Sequence, residues 1–195
     1  MASGRLGRPR SEKSREAVLR AAHELLVVGG GAALSIEAIA KRAEVGKTTI
    51  YRWWPTLADI VLEALLRQAD EDIPVQDSEC LQTTLQEFLR LSTKAVAEGA
   101  GVHLRFLMAQ AQQDEAFRER FRDRFVAKRR AVLVSILQRA VERGQADSAY
   151  DLELMVDLVF GAMWYRLLVG HAPMDEPFAE ELTELVMGVI AKRST

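Results

Sequence analysis

The chain has 195 residues, 49% apolar and 28% charged, with a formal net charge of −2. That is room for one domain with a large core or for a small domain joined to a medium one, with a composition ordinary for a soluble globular protein. Several classes fall away at once: no apolar run approaches the ~18 residues of a membrane span, and the basic N-terminus has no apolar stretch behind it, so it is no secretory signal. Cys80 is the one cysteine and closes no internal disulfide, which fits a reducing compartment. The chain is expected in the cytoplasm. His23, His103 and His171 lie too far apart for metal-ligand spacing, and neither a nucleophile motif nor a paired His and carboxylate is present, so no metal, cofactor or enzymatic activity is expected.

The small net charge hides an asymmetry. Residues 1–70 carry 11 Lys+Arg against 8 Asp+Glu, and the remainder 15 against 20. Arg5, Arg8, Arg10, Lys13 and Arg15 crowd the first 15 residues against Glu12 alone. Residues 1–10 read as a basic flexible arm, which either contacts a polyanion or is a solvated tail.

Behind the arm, Ser11 offers an N-cap, and Ala17, Val18, Ala21, Ala22, Leu25 and Leu26 recur at helical spacing until Gly29-Gly30-Gly31 stops them. Ser35 restarts the chain as the cap of a two-turn helix with Ile36, Ile39, Ala40 and Ala43 inward and Lys41 and Arg42 in its last turn. Glu44-Val45-Gly46 interrupts it. Lys47 to Trp54 reads as a third helix, ended by Pro55 because the residue before a proline avoids the α region. Thr56 then caps a fourth, with Asp59 as its box partner and Ile60, Val61, Ala64, Leu65 and Gln68 along one face. An acidic, irregular stretch around Ile73-Pro74 marks a boundary. Beyond it the pattern is again helical, over roughly 78–98, 101–112, 114–143, 151–169 and 178–192, without β-alternation. The expected fold is all-α: an N-terminal three-helix domain with a helix-turn-helix over 11–72, then a helical bundle over 73–195.

Gly46-Lys47-Thr48 matches the end of a phosphate-binding loop, but Lys41 stands where the first glycine is required, and a helix rather than a strand precedes it. Two short helices joined by a three-residue turn, with a longer helix before them, describe instead a helix-turn-helix whose second helix enters the DNA major groove. Val45 and Ile50 face inward; Lys47, Thr48, Thr49, Tyr51 and Arg52 supply side chains for base edges and phosphates. Ser35 and Gly46 lie near helix N-termini, where free N–H groups attract phosphate. Of the adjacent Trp53 and Trp54, about 100° apart on a helix, Trp54 is expected in the core and Trp53 at the surface.

From Ser11 to about Leu66, above all in "LSIEAIAKRAEVGKTTIYRWWPTLADIVLEAL" with its "I..IA..A.V...T.Y..W" framework, the chain resembles the DNA-binding domain of the TetR family of bacterial transcriptional regulators. The resemblance implies a homodimer binding double-stranded DNA at a palindromic operator, usually as a repressor, with a small-molecule effector in the C-terminal domain that shifts the fourth helix. It implies that Thr49 and Tyr51 touch bases and phosphates, that Lys47, Thr48 and Arg52 lie where base readers vary, and that Ser35 is a phosphate-contacting cap. Leu57 departs from the lysine that many relatives carry there, and Arg8 and Arg10 on the arm offer a minor-groove substitute. The alternative is an all-helical ligand-binding or interaction protein without DNA binding.

In the C-terminal part, His103, Phe106 and Met108 together with Trp164 are candidates for an effector pocket. "LVFGAMWYRLLVG" and "FAEELTELVMGVIA" supply Phe160, Trp164, Leu182, Leu185, Val186 and Val189 as a candidate dimer interface, with Gly161 and Ala162 permitting close helix approach. In "DEAFRERFRDRF", Phe117, Phe121 and Phe125 repeat every four residues, so its dense charge reads as the solvated face of an amphipathic helix.

Overall fold

A computed structural model describes residues 8–72 and 78–191, with side chains for 12–67 and 78–191. Among these residues every regular element is helical: α1 (Arg8–Gly29), a 3-10 turn (Gly31–Ala33), α2 (Ile36–Ala43), α3 (Lys47–Trp53), α4 (Leu57–Asp72), α5 (Leu81–Ala95), α6 (Gly101–Ala111), α7 (Glu115–Phe121), α8 (Ala127–Glu142), α9 (Leu152–Val169) and α10 (Glu176–Ile190). After α5 the chain kinks at Gly99 (φ 131°) within Val96–Ala100, and a π-helical turn, Arg122–Val126, runs on from α7. No helix among the described residues is long and apolar enough to cross a membrane.

The chemistry at the helix ends explains most of these boundaries. Asp151 caps α9 and Asp175 caps α10 through their carboxylates, Pro177 follows within the first turn of α10, and Gly170 ends α9 in the left-handed region. One expectation moves: α1 begins at Arg8, not Ser11. Pro9 is tolerated in a first turn, where its missing N–H has no intrahelical acceptor and its fixed φ already suits the helix. Residues 1–7 of the expected arm, and the side chains of Arg8 and Arg10, lie outside what is described.

The helices sort into two compact units, one joining the chain through Gln68 to Val102–Arg118, the other taking Ala69–Gly101 and the chain from Glu119 onward. In the first, α1 packs on α2 and α2 on α3, with Val18, Ala22, Leu26, Ile36, Ile39, Ile50, Ile60, Val61 and Leu65 buried. Helix α6, expected with the C-terminal bundle, belongs mostly to this unit: buried His103 stacks on His23 of α1 with ring centroids 5.1 Å apart, and Phe106 lies beside Gly31.

The second unit is a bundle of α5, α8, α9 and α10 around Leu85, Phe88, Leu89, Leu133, Leu137, Val156, Val159, Phe178, Leu182, Val186 and Ile190. One end is fastened by polar contacts: the Leu81 N–H donates to the Gln145 side chain (3.0 Å), and the Asp147 N–H donates to the Ile190 carbonyl (2.9 Å). Of the three phenylalanines spaced every four residues, Phe117 and Phe121 are buried, and Phe125, stacked on Phe121 with centroids 5.7 Å apart, is half-buried. Nearby Arg118 and Arg122 pair with Glu115 and Asp123 at the surface.

Candidate nucleic-acid interface

Ser35 caps α2, its hydroxyl accepting from the Ala38 N–H at 3.1 Å. At the other end of α2 the chain reverses through Glu44, which sits in the left-handed region with φ 54°. The glycine of the turn does not make it: Gly46 has φ −65° and ψ 140°, a conformation open to any residue, and a Cβ there would meet nothing within 4 Å. The tight turn therefore rests on a glutamate in a conformation that costs a non-glycine residue roughly 1–2 kcal/mol.

Helix α3 leaves this turn with one fully buried side chain, Ile50; Val45, before it, is half-buried. Trp54 closes the far end: it is 2% exposed, its indole N–H donates to Glu63 of α4 (2.8 Å), Arg15 of α1 lies over its ring, and Arg15 and Glu63 form an ion pair (2.8 Å). Thr56 and Asp59 make the expected box at the start of α4, the Asp59 N–H donating to the threonine hydroxyl at 3.2 Å. Helices α1, α3 and α4 are thus locked around one tryptophan, and the outer face of α3 is held rigidly.

That outer face is polar. Thr48, Tyr51 and Arg52 are exposed, Tyr51 at 55%, and Thr49 is half-buried. Arg52 lies over the ring of Trp53, its Cζ 5.4 Å from the centroid, a contact that steadies the guanidinium while leaving its donors open. Lys47, expected to reach base edges or phosphates, is paired within the chain: its ammonium holds Glu37 of α2 at 2.5 Å, and this hydrogen bond draws the Glu37 carboxyl below its ordinary range. The clamp was missed because the partners lie ten residues apart, across a turn whose path the periodicity does not specify. Leu57 is half-buried at the start of α4.

The family description "Bacterial regulatory proteins, tetR family" matches residues 18–64, the segment just described. A second, "Tetracyclin repressor-like, C-terminal domain", matches residues 75–186, more than half of the chain. The chain belongs to the TetR family of transcriptional regulators. It is 31% identical to the HTH-type transcriptional regulator YdeS of Bacillus subtilis (strain 168) over 179 residues, 90% of this chain and 89% of that one. It is 29% identical to the DNA-binding transcriptional repressor TetR of Mycobacteroides abscessus over 185 residues, 94% and 96% of the two chains. The crystal structure of the TetR-family transcription regulator SCO0332 superposes with a TM-score of 0.74 at 30% identity, covering 92% of this chain and all of that one. This TetR-family chain is accordingly a DNA-binding transcriptional regulator, and its helix-turn-helix, α2 and α3, is the element built for DNA.

The remaining sequence-derived site residues are divided between the two units. His103, Phe106 and Met108 lie on α6, His103 buried and the other two half-buried, whereas Trp164 lies half-buried on α9 of the other unit. His103 is held by His23, with Nδ1 of His23 and Nε2 of His103 3.3 Å apart. Of the six residues expected at a dimer interface, Leu182 and Val186 point into their own unit's core and Phe160 and Trp164 are half-buried. Leu185 and Val189 are exposed, Leu185 at 68%. The apolar face left open on α9 is carried by others: Leu154, Leu158, Gly161, Tyr165 and Leu168 are all exposed and recur at i, i+4, i+7, i+11, i+14. That spacing was readable in the sequence. What hid it is that α9 is apolar on the opposite side as well, through Met155, Val156, Val159, Met163 and Leu167.

Proposed function

We propose that this regulator acts as a homodimer that lays α3 of each protomer into successive major grooves of a palindromic operator, represses the adjoining promoter, and lets go when a small molecule binds its second unit. The observation that carries the reading is the outer face of α3: a helix with one buried side chain, Ile50, presents Thr48, Tyr51 and Arg52 together. Arginine reads guanine edges bidentately, threonine meets the thymine methyl, and a tyrosine hydroxyl donates to phosphate. Gly46 fits the same reading, since its missing side chain serves no contact or turn within the chain and leaves room for a DNA backbone at the start of α3.

The dimer reading rests on the open apolar face of α9 and α10. A helix with two apolar faces needs cover on both, and Leu154, Leu158, Tyr165, Leu168, Leu185 and Val189 stay exposed among the described residues. Gly161 and Gly188 open onto free space, which permits close approach of a second pair of helices. A twofold dimer would present its recognition helices about 34 Å apart, one turn of B-DNA.

The test is a fluorescence-anisotropy titration of the full chain against DNA from upstream of its own gene, at two salt concentrations and with non-specific competitor. Competitor-resistant binding of two protomers per palindrome is expected, with affinity falling as salt rises. Binding that competitor abolishes at both salts would overturn the operator reading.

A further inference from the structure

Two core stripes of the second unit turn polar at the same place. On α8, Leu133, Ile136, Leu137 and Ala140 are buried, and the register one turn earlier is Arg129. On α5, Leu81, Leu85 and Phe88 are buried, and the register one turn later is Ser92. These two polar residues meet: Arg129 Nη2 donates to Ser92 Oγ at 2.9 Å, and the guanidinium carbon stands 4.9 Å from the centroid of the Phe88 ring. Ser92 is oriented for this, since its own hydroxyl proton goes to the Phe88 carbonyl at 2.7 Å, which turns a lone pair toward the arginine.

Arg129 has no carboxylate partner among the described residues, unlike its neighbours. Arg130 beside it pairs with both Glu153 and Asp157, Arg90 with Glu87 and Arg118 with Glu115. Burial without a compensating anion pushes the Arg129 guanidinium down to about 10, which still leaves it cationic at neutral pH. Of its five N–H donors, the one described acceptor takes a single bond. An inward cation without a counter-ion is unfavourable in an apolar core, and an anion supplied from outside removes the deficit. The same end of the bundle carries two departures from regular α-helix: the stretch Val96–Ala100, kinked at Gly99, begins four residues after Ser92, and the π-helical turn Arg122–Val126 ends three residues before Arg129. A π-helical turn opens a helix locally and recurs at functional sites.

Resting on the reading that this unit takes an effector, we propose that Arg129, held in place by Ser92, forms an anion-binding site and that the effector is an organic monocarboxylate with an apolar or aromatic body. The N–H donors that the guanidinium keeps after its bond to Ser92 match the charge and the two oxygens of a carboxylate; a phosphate dianion would call for a second cation. The apolar body has half-buried Phe160, whose ring meets the fully buried Phe88 edge-on with centroids 6.3 Å apart.

The experiment is thermal unfolding of the full, DNA-free chain with sodium benzoate, with benzamide as the neutral isostere and sodium chloride at matched ionic strength. Benzoate is expected to raise Tm in proportion to the logarithm of its concentration once above its dissociation constant, by roughly 5 °C at about 20 mM for a constant of about 1 mM, while benzamide leaves it unchanged. Arg129→Met should unfold no earlier than wild type, because it removes an uncompensated charge, and should lose the benzoate response; Arg129→Lys should keep a weakened one. Should Arg129→Met not fold, Arg129→Gln and Ser92→Ala take its place, with loss or marked weakening of the response expected. A wild type that does not respond to benzoate, or variants that respond as wild type does, overturn the site. Operator binding by anisotropy on the same preparation keeps the two readings apart: lost benzoate response with intact DNA binding removes the anion site alone, and lost DNA binding strikes the operator reading alone.

Discussion

Helix α3 sends one side chain, Ile50, into the core and shows water threonine, tyrosine and arginine; helix α9 buries five apolar side chains on one side and still shows Leu154, Leu158, Tyr165 and Leu168 on the other. Both faces are open in the protomer, and their chemistry separates what each is for. A polar face without an internal role answers to a polar, charged surface such as a DNA groove, whereas an apolar stripe of that length answers to another apolar stripe. Helix α3 itself therefore hangs on one inward anchor, Ile50, and its outer side chains carry little of the packing.

This contrast can be broken most severely at α9. Leu158→Glu combined with Leu185→Glu puts charge into the exposed apolar face; sedimentation should show protomers in place of dimers, and operator affinity should fall at least about 100-fold as the second half-site contact ceases to be intramolecular. A double variant that stays dimeric would move the interface elsewhere.

Within the first unit, the inward and outward sides of α3 should respond oppositely. Ile50→Ala is expected to lower unfolding free energy by about 2–5 kcal/mol in a denaturant titration. Tyr51→Ala and Arg52→Ala should each weaken operator binding by about 1–3 kcal/mol, roughly 10- to 100-fold, with Tm unchanged. Loss of fold in the latter pair would mean that the helix is turned the other way.

The turn offers a smaller test. Glu44→Gly relieves a left-handed non-glycine residue and should stabilise the chain by about 1 kcal/mol without touching DNA affinity, while Gly46→Ala, at a position with ordinary backbone angles, should leave Tm alone and weaken binding.

The smallest effect is expected at the clamp between α2 and α3. Glu37→Gln frees Lys47 and removes a negative charge beside the DNA, so affinity should rise a few-fold and the slope of log affinity against log salt should steepen by about one. Because Lys47 holds the Glu37 carboxyl below its ordinary range, the clamp is complete above that range and is lost as pH falls through the lowered value. An unchanged salt slope in Glu37→Gln would show that Lys47 does not reach phosphate.

Much of this was readable along the chain because it depends on residues close in sequence. The cap at Ser35, the Thr56-Asp59 box, the inward Ile50 and the stop at Pro55 are governed by local backbone chemistry, and the helix boundaries followed within a few residues. Trp54 was separable from Trp53 by the 100° step of a helix alone. The site was less legible. Gly46 looked like the residue that makes the turn, but the left-handed position fell to Glu44, since which residue of a short connection reverses the chain depends on how α2 and α3 pack. Leu182 and Val186 looked like interface, because an apolar spacing reports that a face is buried without saying whether its cover is the same protomer or another.

The sequence by itself thus determined an all-helical chain, a helix-turn-helix between Ser35 and Trp54, and which side of α3 faces outward, because hydrophobic period, caps and proline act over one or two turns. Only the tertiary structure decided that most of α6 joins the first unit, that Lys47 is held by Glu37, that α9 keeps a second apolar face open, and that Arg129 ends an apolar stripe opposite Ser92. Those outcomes depend on distances between elements far apart in the chain, and a cation's partner or an apolar face's cover is defined only once the helices have met.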